Sequence, residues 1–497
     1  MQVFSKRILT LLFAVVLLPT GALWAQTTTN STNSTRSTNS TNSTNSTNST
    51  NSTNSTNNSG GGGTITNPDI EFSPIPGGVL VDAKGVLQRY PVLDYGTVTQ
   101  KQLAAARSSY TGIAKDVAVK TPLRFVSLNR LEKAVSDANG TLSEEMKYLA
   151  GLQDIRYVFY FADSKDIVIA GPAEGWFPGF EGAMVGQMSL MPVCELQDLV
   201  VALRAFAPKT DGVDRVGCSI DPTPEGNARL QQFQKDFGAA NRRRFGEFLD
   251  GIKQSLGNQT VRIDGISGKT HAAQILIAAD YRMKRIGIGA DEPPVRMETF
   301  IKRTTPSIGN ALFRWYFVPD YESVTVTADG SGLELTSSRV KLVAEGELDA
   351  ENGSSGKKQR ADAASLAYTR SFTRNYPQIA RRVLVFAQLR NFVDMLVAAA
   401  YIQQQDFYGK SGWQMTFFGD EKKFALECFT APQEVEPVVG YKITSSGGTL
   451  LAPIGGGVVI EPESILAEEN VTTDKGKVTA VKDKAAVILP AGVWWWQ

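Results

Sequence analysis

The sequence predicts a mixed α+β fold, with helices and antiparallel strands in two or three lobes after a disordered N-terminal linker. Three observations carry that prediction. Between residues 100 and 289 apolar residues recur mainly at helical spacing, whereas beyond 290 runs rich in Val, Ile, Tyr and Phe flank one long helical stretch. Residues 26–68 hold almost nothing apolar to bury. The ~430 residues after residue 68 suffice for more than one sizeable core.

Residues 1–25 read as a secretory signal. Lys6 and Arg7 give a positive start, residues 8–18 an apolar run, and Ala22-Leu23-Trp24-Ala25 a small-residue site for cleavage after Ala25. That run is short for a bilayer, and no later run reaches ~18 apolar residues. The expectation is export to the periplasm, the cell envelope or the outside, with no transmembrane span after signal removal. Residues 26–59 are little more than Asn-Ser-Thr repeated, followed by four glycines. They read as a polar spacer, with a glycosylated stalk as the alternative.

Residues 69–290 form the helix-rich part. Residues 77–82 and 85–87 suggest a short hairpin, and Thr99 with Gln102 a capping box for a helix reaching about residue 117. Ser127 opens a second helix and Thr141 with Glu144 caps a third. Residues 155–161 and 166–170 form a hairpin that runs into Gly171-Pro172-Ala173-Glu174-Gly175-Trp176. This stiff loop presents one carboxylate, so Glu174 is a candidate ligand contact or catalytic acid, against the alternative of a packed turn. After Cys194 an amphipathic helix turns Leu196, Leu199, Val200 and Leu203 inward. At Cys218-Ser219-Ile220-Asp221-Pro222-Thr223-Pro224 a strand meets a helix, with Thr223 as N-cap and Pro224 as first helical residue. Asp221 is a candidate acid or base, against the alternative of a cap.

The most concentrated helix follows. Ala272, Ile275, Leu276 and Ala279 keep the i, i+3, i+4, i+7 spacing of a buried stripe, with Thr270 as cap, Asp280 and Lys284 as an i,i+4 pair, and Gly287 and Gly289 as stop. His271, the single histidine, is expected to be buried there, which excludes any two-histidine site. The preceding loop is close to a P-loop, but the first glycine of G-x-x-x-x-G-K-[ST] falls on Ile263, so the ATPase reading fails. Gly268, Lys269 and Thr270 remain candidates for an anion or phosphate site at a helix N-terminus.

Residues 291–497 read as a strand-rich second part of the same globular region. Strands are expected at 323–328, 333–337 and 340–345 with a turn at Asp329-Gly330, then a polar loop at 350–360, a helix with Leu366 and Tyr368, and a long helix over 377–405. Further strands are expected at 413–418, 438–444 and 458–460, with turns at Gly447-Gly448 and at residues 455–457. Trp494-Trp495-Trp496 reads as a clamp onto the domain, with a docking tail as the alternative.

Loss of residues 1–25 would remove Lys6 and Arg7 and no acid, taking the formal charge from +1 to −1. Such a chain offers no global field for nucleic acid or an anionic membrane, and Arg242-Arg243-Arg244 reads as a solvated face. Three cysteines make no disulfide scaffold; Cys194 and Cys218 are left open as a pair, with Cys428 as a buried remainder. No metal-ligand cluster, dinucleotide fingerprint or nucleophile elbow is visible, so no cofactor or metal is expected.

Several stretches together resemble a family of exported planctomycete proteins, Domain of Unknown Function 1598. They are Leu149-Ala150-Gly151-Leu152-Gln153, GPAEGW at 171–176, DLVVALR at 198–204 and CSIDPT at 218–223, then HAAQILIAADYRMKRIGIG at 271–289, Leu389-Arg390-Asn391 with Asp394, and GGGV near 455–458. The resemblance implies a signal peptide and supplies no catalytic residues. The first functional expectation is therefore a non-catalytic binding or structural component of the cell envelope with an unidentified envelope or surface partner. The alternatives are a secreted hydrolase of glycan or another polymer using Glu174 and Asp221, and the anion binder at 265–270.

Overall fold

The computed structural model describes residues 79–81, 85–89, 97–179, 182–237, 245–304, 313–320, 324–336, 339–347, 362–443 and 449–497, and within them two large sheets carry the helices. The first sheet runs in the order Val79–Val81, Val86–Arg89, Glu434–Val435, Gln259–Asp264, Val216–Asp221, Thr449–Ile460, Phe313–Pro319, Val340–Ala344. A ninth strand, Val439–Ile443, also pairs with Thr449–Ile460. The second sheet has seven strands: Val471–Thr473, Val324–Val326, Gly332–Leu335, Tyr157–Phe161, Asp166–Ala173, Thr121–Ser127, Trp495–Trp496. Pairing is mostly antiparallel, and the fold is α+β as expected. Both sheets draw strands from either side of residue 290.

Alternation in Asp166–Ala173 shows how the layers form. Ile167 and Ile169 face the main core, while Val168 and Ala170 join Phe125, Tyr157 and Phe159 beneath the helix Lys477–Ala485. The helix His271–Gly287 lies on Val216–Asp221 and Thr449–Ile460, and the helix Leu384–Gln404 lies on Leu196–Ala205, His271–Gly287 and Ala363–Arg382. Leu384–Gln404 is long and apolar enough to cross a membrane, yet 94% of its apolar window is buried in the fold. A helix apolar nearly all round is here a core helix.

Two buried ion clusters stitch these layers. The Lys284 ammonium donates to Asp280 Oδ2 at 2.7 Å and to the carbonyls of Ile220 and Gly456 at 3.0 Å, so the expected i,i+4 pair is an interior one. Burial pushes the Asp280 carboxyl up to about 6 against the pull of Lys284. Arg339, at the start of Val340–Ala344, donates to Asp394 of the core helix at 2.8 Å and to Asp154 beside the second sheet at 3.2 Å.

Several local expectations hold. Thr270 accepts from Ala273 N, Ser127 from Arg130 N and Thr223 from Gly226 N, and both predicted hairpins in residues 79–173 form. Trp495 and Trp496 pair with Val126 and Phe125, so the aromatic end is a clamp.

Others need correction. The helix expected to reach residue 117 is Thr97–Ser109, with Thr99 inside it; Thr111 and Gly112 are poor helix formers, and Lys115–Ala118 follows as a separate turn. Ser143 rather than Thr141 caps Glu144–Lys147. The two helices expected here form, but their boundary is not at Pro377, which lies inside Ala363–Arg382; the extended Val383 separates that helix from Leu384–Gln404. Residues 413–418 are no strand, because the Glu132 carboxylate takes the amides of Phe417 and Phe418 and the indole N–H of Trp413. Gly455, Gly456 and Gly457 lie within the strand Thr449–Ile460 instead of forming turns. All three cysteines are unpaired, and Cys428 is exposed rather than buried. The signal, the linker, the 242–244 run, the 350–360 loop and the Gly447-Gly448 turn lie outside the described residues.

Candidate functional site

Two helix starts converge on one cavity. Glu195 occupies the N-cap position of Leu196–Ala205 in extended conformation without capping it, which leaves its carboxylate free for other partners. Asp198 lies in the first turn of that helix, where the helix dipole favours an anion. His271 is the first residue of His271–Gly287, a start fixed by the Thr270 cap. Because these helices pack together, residues 73 positions apart meet. His271 Nδ1 is 2.9 Å from Asp198 Oδ2, 3.0 Å from Asp198 Oδ1 and 3.9 Å from Glu195 Oε2. One potential ligand atom from each of the three residues lies within 4.8 Å of the others.

The cavity, about 380 Å³, is lined by Lys147, Tyr148, Glu195, His271, Glu427 and Phe429 among others. The Phe429 ring lies 5.7 Å from the imidazole, and Gln197 Nε2 donates to Glu195 Oε2 at 2.6 Å. Lys147 spends its ammonium on Glu144 at 2.8 Å. Burial alone would lower the His271 pKa, but Asp198, Glu195 and Glu427 outweigh it and push it up to about 9. Burial raises the Glu195 carboxyl, against the pull of His271. Burial also raises the Tyr148 phenol, so it stays protonated at neutral pH. Chemically, one imidazole and two carboxylates stabilise a positive charge, which a proton on His271 already supplies.

The residues singled out from the sequence stand elsewhere. Glu174 is 1% exposed, and its Oε1 accepts from Gln153 Nε2, Ser189 N, Ser189 Oγ and Met188 N at 2.6–3.2 Å. Burial acts to raise its pKa, yet these bonds lower it on balance. Its charge holds the turn at residues 186–190. Asp221 bonds Arg314 Nε at 3.1 Å and Gly456 N at 3.4 Å. Glu174 follows a strand of the second sheet, Asp221 ends a strand of the first, and neither lines the cavity at His271. In the 265–270 loop Thr270 N donates to Ser267 O at 3.2 Å and Lys269 N to Ser267 Oγ at 3.3 Å, while Gly268 O accepts from Gln274 Nε2. Two of the three candidate amides are thus already engaged within the loop.

Glu195 and Asp198 were missed because their helix reads as merely amphipathic. The usable signal was an acid pair three residues apart at one helix entry and the sole histidine at another.

Fold and cavity together define an α+β protein with a histidine–carboxylate site in a half-open cavity. Residues 218–300, a stretch that includes His271, match the family described as Protein of unknown function (DUF1598). No curated protein and no solved structure matches the chain.

Proposed function

We propose that this protein is an exported, non-catalytic binding component of the cell envelope, whose cavity at His271 holds a small cationic ligand. One observation carries the reading: Glu195, Asp198 and Glu427 set negative charge in and under the cavity, while Lys147, its ammonium, is already paired with Glu144. The raised His271 pKa reports the same negative field, and a bound cation would take the place of the imidazole proton. A volume of about 380 Å³ suits a small molecule or an ion rather than a polymer. Export is supported by the signal-like residues 1–25.

Equilibrium dialysis of the full chain against small ammonium ions and divalent metal ions tests this reading. Retention of one of them, weakened tenfold or more in Glu195→Gln, is the expected result. Retention of none, or retention indifferent to Glu195→Gln, would remove the cavity from the function.

A further inference from the structure

We infer that the cation is a divalent first-row transition metal ion held by Glu195, Asp198 and His271, an inference that rests on the cation-binding reading above. The donor set argues for it. One imidazole nitrogen with two carboxylate oxygens suits zinc, manganese, iron or cobalt, whereas calcium favours an all-oxygen shell. Spacing agrees with the donor set. Donors about 2.0–2.2 Å from a shared ion lie roughly 3.0–3.5 Å from one another. His271 Nδ1 and Asp198 Oδ2, at 2.9 Å, stand just inside that separation as a hydrogen-bonded pair, so an ion would displace the proton between them to solvent, and Glu195 Oε2, at 3.9 Å from Nδ1, would have to close in.

Support around the ligands has the form that such sites use. All three side chains start from helix entries rather than from a long loop, which limits their wander. Gln197 Nε2 holds Glu195 Oε2 from outside, the kind of partner that orients a ligating carboxylate. Three protein ligands leave coordination positions open, and Glu195 and His271 line the cavity through which a small molecule would reach the ion.

The test uses the full chain, stripped with a chelator and titrated with Zn²⁺ against a chromophoric competitor, with Co²⁺ absorption as a second readout. One ion per chain is expected, with a Co²⁺ spectrum that shows nitrogen–oxygen ligation and a Zn²⁺-dependent rise in Tm. His271→Asn keeps an N–H directed at Asp198 but removes the imidazole lone pair, and Glu195→Gln removes a ligating charge. Each should weaken Zn²⁺ binding about 100-fold and abolish the Tm shift, with circular dichroism unchanged. Gln197→Ala, which touches no ion, should weaken binding about tenfold and carries the test if His271→Asn fails to fold. Equal Zn²⁺ affinity in His271→Asn, Glu195→Gln and the parent would overturn the inference. So would retention of an organic ammonium but no metal, which leaves the cation-binding reading standing; retention of neither ends both.

Discussion

Arg339 donates to Asp394 across 2.8 Å in the interior, and that bond fastens the nine-stranded sheet to the core helix Leu384–Gln404. The same guanidinium reaches Asp154 at 3.2 Å and the Ile155 carbonyl at 3.1 Å, which brings in the second sheet. Removing the arginine takes the ion-pair partner from buried Asp394, while Asp154 keeps Arg156 at 3.4 Å and Arg390 at 3.8 Å. Arg339→Met should lose about 3–5 kcal/mol of folding stability. Adding Asp394→Asn to it should recover part of that loss, and urea unfolding of the single and double variants measures both.

Glu132 gives a second expectation. Its carboxylate satisfies three donors from the irregular segment around Trp413 and Phe418. Glu132→Ala leaves those donors without an acceptor and should cost about 2–4 kcal/mol. Glu132→Gln keeps one acceptor oxygen and should cost less, a ranking that chemical-denaturation midpoints will show.

Gly456 and Gly476 separate packing from backbone strain. Both are left-handed, with φ of +109° and +100°. A Cβ on Gly456 would stand 2.0 Å from the Trp315 carbonyl oxygen, whereas nothing lies within 4 Å of one on Gly476. Gly456→Ala should abolish soluble folded protein. Gly476→Ala should cost only the left-handed strain, about 1–2 kcal/mol, read as a modest drop in Tm.

Asp329 sets an acid limit. Burial acts to raise its pKa, but the hydroxyls of Ser331 and Thr327 and the Ser331 amide bring it down from 3.8 to about 2. A depressed carboxyl stabilises the fold above its unfolded pKa and loses that contribution as pH falls through the folded one. The loss therefore falls between about pH 4 and pH 2. Asp329→Asn should flatten this part of the stability profile while leaving its shape above pH 5 unchanged, as urea midpoints across that range will test.

The sequence made helices and hairpins legible wherever one local rule decided them, as in the Thr270 cap and the 157–173 hairpin. It failed where a distant group took over a local role. Residues 413–418 have strand-like composition, but Glu132, some 280 positions earlier, takes their amides. The glycines at 455–457 look like a turn until the neighbouring strands at Trp315 and Cys218 press on them. Glu174 was singled out as a ligand contact or catalytic acid, with a packed turn as the alternative, and its setting is four donors from its own neighbourhood. The His271 cavity was half visible: the stretches behind the family resemblance include ones that begin at Asp198 and at His271, yet only folding brings those two beginnings together.

The Trp495–Trp496 strand lies on Thr121–Ser127, and Gln497 Oε1 accepts from the Arg124 guanidinium 373 residues earlier. A ribosome making this chain therefore exposes Thr121–Ser127 long before its neighbour exists. Until Trp496 has emerged, that flank of the sheet offers unsatisfied amides to any passing strand. Closing so long a loop also makes the final pairing a slow step. Products of premature termination should accumulate as aggregates rather than as small folded fragments.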